Sequence, residues 1–350
     1  MAKGLGTQPL CPLSIQTRQR WTAKVWGWGK DMTALQRLMP PVQYAELNGI
    51  RMAFYEAGPR GGIPVIFCHG WPELAFSWRH QLKGMGDAGR WVIAPDQRGY
   101  GLTSSPDAVT DFDMQHLTDD LIGLLDHLGI EKAIWCGHDW GGLIAWQMPL
   151  RHPDRTAGVI GLNTPFIPRL SRDPIALYRD NLGEDMYIVY FQKPGEAEAI
   201  FEADLERTFR FNLRRPNAAM AKEAREPIYK AIPNFVPSEA DSPILTDEEL
   251  GVYVEMYRHS GFRGGINWYR NFTRNWENSA HLVDRVDVPS LMVMAEKDAV
   301  LPPSMADKMG KYCSDLEKAL VLDSGHWTQQ EKPEEVNAIF LDWLNRRFPR

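Results

Sequence analysis

Cys136-Gly137-His138-Asp139-Trp140-Gly141-Gly142 is the stretch whose reading decides the fold. It follows an apolar run at 133–136 and opens a helical stretch from 141 to about 151. That is a strand, a tight turn and a helix, with the order small, any, nucleophile, any, small, small. The demand behind the pattern is steric. The central residue sits on a sharp, strained turn, and glycines beside it let strand and helix approach closely. Where many hydrolases place Ser, this chain has Asp139.

Working outward, short continuous apolar strands are expected at 64–68 and 91–95, with a helix at 77–85 between them. Residues 114, 117, 121, 124, 125 and 128 form a helical apolar stripe, and Gly129 follows as a helix stop. A further strand is expected at 158–162. Alternating strand and helix implies a parallel sheet with right-handed crossovers. Upstream, 43–47 and 50–55 read as strands joined by Asn48-Gly49, a dipeptide suited to a type I′ turn. The pattern breaks after Thr164-Pro165. Residues from about 166 to 280 lack strand-like runs and read as a helical insertion. Strands resume at 289–295 and 319–322, and an amphipathic helix closes the chain at about 334–348. The expected organisation is an N-terminal extension at 1–42, a core at 43–165 and 281–350, and a helical cap at 166–280. The extension carries Trp21, Trp26 and Trp28, and part of it is expected to pack on the body, since exposed clustered Trp is unfavourable.

Gly84, Gly86 and Gly89 spell G-x-G-x-x-G, but a dinucleotide cradle must follow a strand and open a helix. This one follows a helix and leads into a strand, so it reads as a connection only.

The 350 residues carry 44% hydrophobic and 24% charged side chains, ordinary for a globular enzyme. A net charge of −6 argues against a nucleic-acid or anionic-membrane partner. The chain shows no secretory h-region and no run long enough to span a bilayer. Cys11, Cys68, Cys136 and Cys313 are far apart, without metal or disulfide spacing, and fit reduced thiols in a cytoplasmic protein. The sequon Asn271-Phe272-Thr273 carries little meaning without a secretion signal. No His pair has zinc spacing, and neither a metal nor an organic cofactor is implied. Oligomeric state is not readable.

Asp139 redirects the chemistry. A serine must lose a proton to attack an acyl carbon, whereas a carboxylate is anionic at pH 7 and needs no such help. It suits displacement at sp³ carbon, leaving an alkyl ester that a second step must hydrolyse. A base for that step belongs downstream, since hydrolases built on this elbow run nucleophile, acid, histidine along the chain. The resumed strands end in Glu296-Lys297-Asp298 and Asp323-Ser324-Gly325-His326, at carboxyl ends beside the elbow, where open α/β sheets bind ligands. His326 is the candidate base and Asp298 its orienting acid. Asp323 competes for that second role. The other eight histidines are read as ordinary core or surface residues, with His69 and His138 as structural neighbours of the loops. His69-Gly70-Trp71-Pro72 follows strand 64–68, and the backbone N–H groups of Trp71 and Trp140 are the expected oxyanion donors. A loop that turns so sharply while aiming an N–H inward is compatible with a cis Trp71–Pro72 bond.

From about residue 43 to the end, the chain resembles the epoxide hydrolases of the α/β-hydrolase superfamily, in particular microbial relatives of the soluble vertebrate enzyme. The resemblance rests on His69-Gly70-Trp71-Pro72-Glu73 with Ser77-Trp78-Arg79, Asp96-Gln97-Arg98-Gly99-Tyr100-Gly101 and the elbow itself. It continues through Leu162-Asn163-Thr164-Pro165-Phe166, Ala295-Glu296-Lys297-Asp298 and Gly325-His326-Trp327-Thr328-Gln329. It implies an α/β-hydrolase fold with an inserted helical cap and a small-molecule epoxide substrate. Tyr187-Ile188-Val189-Tyr190-Phe191-Gln192 and Gly261-Phe262-Arg263-Gly264-Gly265-Ile266-Asn267-Trp268-Tyr269-Arg270 resemble the two cap segments that supply the acids. By that resemblance Tyr187 and Tyr269 bind the epoxide oxygen, with Tyr190 the alternative to Tyr187. Phenols stay protonated at neutral pH and can donate to the alkoxide that ring opening creates. Phe76 and Trp78 are expected to shape the pocket.

A haloalkane or haloacid dehalogenase is the nearest rival. It shares the Asp nucleophile, and Trp140 could donate to a halide. Trp71 stands where many haloalkane enzymes carry Asn, however, and the tyrosine pair would lack a task. Asp139 argues against a serine esterase. A non-catalytic ligand binder of this fold need not retain nucleophile, acid, base and both tyrosines.

Overall fold

The computed structural model describes residues 32–216, 226–238 and 241–350. Trp21, Trp26, Trp28 and Cys11 lie outside the described residues. Helix α1 (Met32–Leu38) buries Ala34 and Leu35 against the body, and Arg37 pairs with Glu248 of the insertion.

Eight strands form one sheet in the order β1-β2-β4-β3-β5-β6-β7-β8. Strands β1 (Gln43–Leu47) and β2 (Ile50–Ala57) form an antiparallel hairpin. Its turn puts Asn48 and Gly49 at φ 43° and 76°, the positive values that dipeptide tolerates. Strands β3 (Val65–Cys68), β4 (Val92–Pro95), β5 (Ala133–His138), β6 (Thr156–Leu162), β7 (Ser290–Ala295) and β8 (Leu316–Val321) run parallel. β3, β4 and β5 are buried at every position. Continuous apolar runs are what a parallel sheet covered on both faces requires.

The helix predicted at 77–85 is a short 3-10 turn at Ala75–Trp78 followed by α2 (Arg79–Asp87). Gly84 and Gly86 fall in the last turn of α2, and Gly89 follows at φ 78°, so the G-x-G-x-x-G run is a helix-to-strand connection. Helix α3 (Met114–Leu128) buries its expected stripe from Met114 to Leu125 and half-buries Leu128; the Asp113 carboxylate caps it by accepting from the His116 N–H, and Gly129 at φ 68° ends it. Helix α4 (Trp140–Arg151) starts one residue beyond Asp139.

Between β6 and β7 the chain leaves the sheet. The described residues there form α5 (Pro174–Leu182), α6 (Tyr187–Tyr190), α7 (Glu196–Ala203), α8 (Leu205–Asn212), α9 (Ile228–Asn234), α10 (Asp247–Ser260), α11 (Arg263–Arg270) and α12 (Phe272–Asn278). Helix α10 is tied to the loop after β3: Ser77 Oγ and the Tyr253 hydroxyl are 2.7 Å apart, Tyr257 donates to the Glu73 carbonyl, and the buried Arg79 pairs with Glu249 at 2.7 Å. The chain then returns through β7 and β8 to α13 (Thr328–Glu331) and α14 (Pro333–Arg347). β8 begins earlier than predicted because, as an edge strand, it alternates in exposure and shows no apolar run at its start. Among the described residues no helix is long and apolar enough to cross a membrane.

Candidate active site

The junction of β5 and α4 leaves no room for side chains. A Cβ on Gly137 would lie 1.9 Å from the Gly141 carbonyl oxygen, and one on Gly141 would lie 2.0 Å from that of Cys68. Between them Asp139 is held at φ 52°, a left-handed value that a non-glycine residue adopts only when its surroundings impose it. Thr164 donates to the Asp139 carbonyl at 2.8 Å, which fixes the turn from the β6 side.

The Asp139 carboxylate meets the loop after β3 and the loop after β8. Oδ1 accepts from the Trp71 N–H at 2.8 Å. Oδ2 lies 3.6 Å from His326 Nε2. The Trp140 N–H, the second donor expected, makes no hydrogen bond to that carboxylate; the Trp140 indole packs edge-on against Tyr269 at 5.0 Å. The Trp71–Pro72 peptide is cis.

His326 Nδ1 donates to Asp298 Oδ2 at 2.9 Å. Asp298 is buried, and its other oxygen accepts from the N–H groups of Val300 and Leu301 at 2.8 and 2.9 Å. Burial alone would raise the Asp298 pKa, but His326 and these donors outweigh it and hold the carboxyl well below the usual range. Burial alone would likewise lower the His326 pKa, yet Asp298 and Asp139 drive it well above the ordinary imidazole value. Asp323 is exposed and pairs with Lys297 and Lys332, so of the two competing acids the structure brings Asp298 to the histidine.

Asp139, Tyr187 and Tyr269 line one cavity of about 590 Å³. The two phenol rings stand edge-on, 5.9 Å apart. Burial keeps both phenols protonated far above neutral pH, reinforced at Tyr187 by the charge of Asp139 and at Tyr269 by Tyr187 and then Asp139. Tyr190 is turned away and packs on Tyr229 at 5.1 Å. Phe76 and Trp78 do not line this cavity, contrary to expectation. Trp78 stacks on Phe67 at 4.7 Å behind β3, and Phe76 lies between Arg79 and Tyr253. The 3-10 turn that carries them buries all four of its residues.

Two supporting residues went unassigned in the sequence. Asn163, at φ 61° just after β6, donates through Nδ2 to Asp298 Oδ2 at 2.7 Å and to the His326 carbonyl at 3.1 Å. Glu73 is fully buried and accepts from Gly70 N–H, His138 Nδ1 and Gln329 Nε2. His138 in turn reaches the His326 carbonyl at 2.6 Å, so His138 supports the loop that carries His326. Both residues sit inside motifs quoted above; the signal was a polar residue next to a functional loop, which does not by itself name a partner. His69 is buried and pushed down to about 4 chiefly by that burial; its Nδ1 donates to the Gly70 carbonyl and its Nε2 accepts from Gln97 N–H. Among the described residues no group of three His, Cys, Asp or Glu side chains is arranged to hold a metal ion.

Comparison with known proteins agrees with the fold. The model of the alpha/beta hydrolase fold family matches residues 63–333. Epoxide hydrolase A of Mycobacterium tuberculosis is 43% identical over 315 residues, covering 87% of this chain and 97% of that protein. Pig bifunctional epoxide hydrolase 2 is 39% identical over 85% of this chain, which spans only 53% of the pig protein. The crystal structure of Epoxide Hydrolase A from Mycobacterium thermoresistibile superposes with a TM-score of 0.82 at 42% identity, covering 87% of this chain and 98% of that one.

Proposed function

This chain belongs to the α/β-hydrolase-fold family and, within it, to the epoxide hydrolases, and from that premise we propose that it converts epoxides to vicinal diols through a covalent ester on Asp139. In the first half-reaction Asp139 attacks a ring carbon, the C–O bond breaks, and the departing oxygen takes a proton from Tyr187 or Tyr269. Donors aimed at the charge that develops act as preorganised electrostatic stabilisation. In the second, His326, oriented by Asp298, removes a proton from water as it attacks the Asp139 carbonyl carbon. The N–H groups of Trp71 and Trp140 serve the resulting oxyanion; collapse breaks the ester C–O bond, His326 passes its proton to the departing diol oxygen, and the proton lost by the new Asp139 acid restores the tyrosine by way of solvent.

The observation that carries the reading is the convergence of one carboxylate and two protonated phenols on a single apolar cavity, with a His–Asp pair touching the same carboxylate. A dehalogenase would need the carboxylate but not the phenols, since halide leaves as a stable anion. The helical excursion at 166–280 acts in this scheme as a cap that brings both tyrosines over the nucleophile. A cytoplasmic location is part of the same proposal, supported by the free, buried thiols of Cys68, Cys136 and Cys313.

Isotope placement tests the mechanism. In heavy-oxygen water a single turnover is expected to label Asp139 and leave the first diol unlabelled. Label in that first diol means that water attacks the epoxide directly, and the covalent route falls.

A further inference from the structure

Tyr187 and Tyr269 reach the cavity from different elements. Tyr187 opens α6, a helix of only four residues, and Tyr269 stands one residue before the end of α11. A single helical turn does not hold itself in place, because forming the first turn is unfavourable on its own. Two O–H groups that serve one epoxide oxygen must each come within about 3 Å of it, so their hydroxyls cannot stand more than about 6 Å apart. The placement of α6 against α11 therefore has to come from contacts between them.

Those contacts are reciprocal. Gln192, just past α6, donates through Nε2 to the Ile188 carbonyl at 2.9 Å and to the Tyr269 carbonyl at 3.0 Å. In the opposite direction Arg270, next to Tyr269, donates through Nε to the Phe191 carbonyl at 2.9 Å and through Nη2 to the Lys193 carbonyl at 3.0 Å. Its remaining N–H groups meet the two carboxylate oxygens of Glu198 in α7, at 2.6 and 3.0 Å, and Asn267 Oδ1, at 2.9 Å. All five guanidinium N–H groups are thereby used, which holds the planar fork in one orientation. The Arg270 and Glu198 side chains are only 7% and 11% exposed. The Phe191 ring packs edge-on against both phenols, 5.6 Å from Tyr187 and 5.1 Å from Tyr269. An ion pair that merely joined α11 to α7 would need Glu198 alone, whereas Arg270 also reaches two carbonyls at the end of the Tyr187 turn, and Gln192 returns to the carbonyl of Tyr269 itself.

We infer that Gln192 and Arg270 are positioning residues that set the distance between the two phenols, and that they act on ring opening and not on ester hydrolysis. The inference rests on the epoxide hydrolase reading. Neither residue lines the cavity, so each works through the tyrosines rather than on the substrate. A misplacement of about 1 Å at a reacting group can lower a rate by about 10²-fold, and the crossed hydrogen bonds are what holds α6 against a shift of that size.

Single-turnover kinetics with styrene oxide separate the two steps: formation of the covalent adduct is followed by stopped-flow fluorescence, and its decay by mass spectrometry after quenching. Gln192→Met removes the donor at similar size, and Arg270→Lys keeps a charge beside Glu198 without the fork. Each is expected to slow alkylation by about 10- to 100-fold and to leave adduct decay within about twofold of the parent. In a Tyr269→Phe background the second hydroxyl is gone, so Gln192→Met should cost far less there; such non-additivity marks residues that act through one another. A residue that serves the fold alone would slow both steps alike, or lose as much without the Tyr269 hydroxyl as with it. Either result overturns the inference, as does alkylation at the parent rate in Gln192→Met. Parent-rate alkylation in Arg270→Lys overturns the part assigned to Arg270, since a charge without the fork then suffices. Should Arg270→Lys not fold, Gln192→Met and its pairing with Tyr269→Phe decide alone. No adduct from any epoxide with the parent enzyme removes the functional reading and the inference with it, a failure seen before any variant is made.

Discussion

Alkylation should change the protonation of its own follow-up base. In the proposed cycle Asp139 begins as an anion 3.6 Å from His326 Nε2 and becomes a neutral ester. Both side chains are largely enclosed, 13% and 15% exposed, so solvent screens the pair weakly. At an effective dielectric of 20 the attraction between imidazolium and carboxylate at that distance is about 4–5 kcal/mol. Losing it favours the neutral imidazole, the form that can accept a proton from water. The resting enzyme therefore keeps His326 charged, and the first half-reaction frees it for the second. Asp139→Asn mimics the neutral ester while keeping an oxygen for the Trp71 N–H. The His326 ring proton, assigned by its disappearance in His326→Gln, is titrated by NMR in both proteins. The midpoint is expected to fall in Asp139→Asn, though Asp298 still raises it. In kinetics, the acid limb for ester hydrolysis should lie below the His326 midpoint of the free enzyme. An unchanged midpoint in the Asn variant would refute the coupling, because the 3.6 Å charge would then contribute nothing.

Other outcomes follow from the same geometry. His326→Gln should accumulate a protein adduct whose mass increase equals that of the epoxide, and Asp139→Ala should never show it; normal turnover by His326→Gln would remove His326 as the base. Tyr187→Phe and Tyr269→Phe should each slow alkylation by about 10²–10³, the usual loss of one oxyanion donor, and the double change should nearly abolish it. Stopped-flow fluorescence reads that step, and a double variant alkylated at the parent rate favours a dehalogenase. Asn163→Ala leaves Asp298 Oδ2 and the His326 carbonyl short of a donor. A stability loss of about 1–3 kcal/mol in denaturant unfolding is expected, together with ester hydrolysis slowed more than alkylation. Equal slowing of both half-reactions would show that Asn163 acts on the fold alone.

What the sequence makes legible is whatever depends on local spacing. The turn around Asp139, the stripe on α3 and the Asn48-Gly49 hairpin each demand particular residues at fixed intervals, and each forms as read. Choosing between Asp298 and Asp323 rested on the layout of the family that the chain resembles, because both acids follow strands that end beside the elbow and both precede His326. Tyr187 and Tyr269 come from separate helices of the insertion, and no periodicity relates them; resemblance alone paired them. Phe76 and Trp78 were misplaced for the same reason: nothing local tells whether an aromatic after β3 faces the cavity or the core. Asn163 and Glu73 act through partners far away in the chain, and such hydrogen bonds leave no pattern in a single sequence.

The long excursion between β6 and β7 also bears on how this enzyme can change. Closing a flexible loop becomes harder only with the logarithm of its length, so doubling a loop adds about 0.6 kcal/mol. Lengthening or exchanging surface segments within α5 to α9 is therefore nearly neutral for the parallel sheet, provided β6 and β7 keep their register from Val159–Ser290 to Leu162–Val293. Helix α10 is the exception, since it is bonded to the loop after β3 and would carry Glu73 with it. New substrate ranges should arise by variation along the α5, α6 and α12 walls, while α10, which lies outside the cavity lining, stays fixed as the post on which the rest is rebuilt.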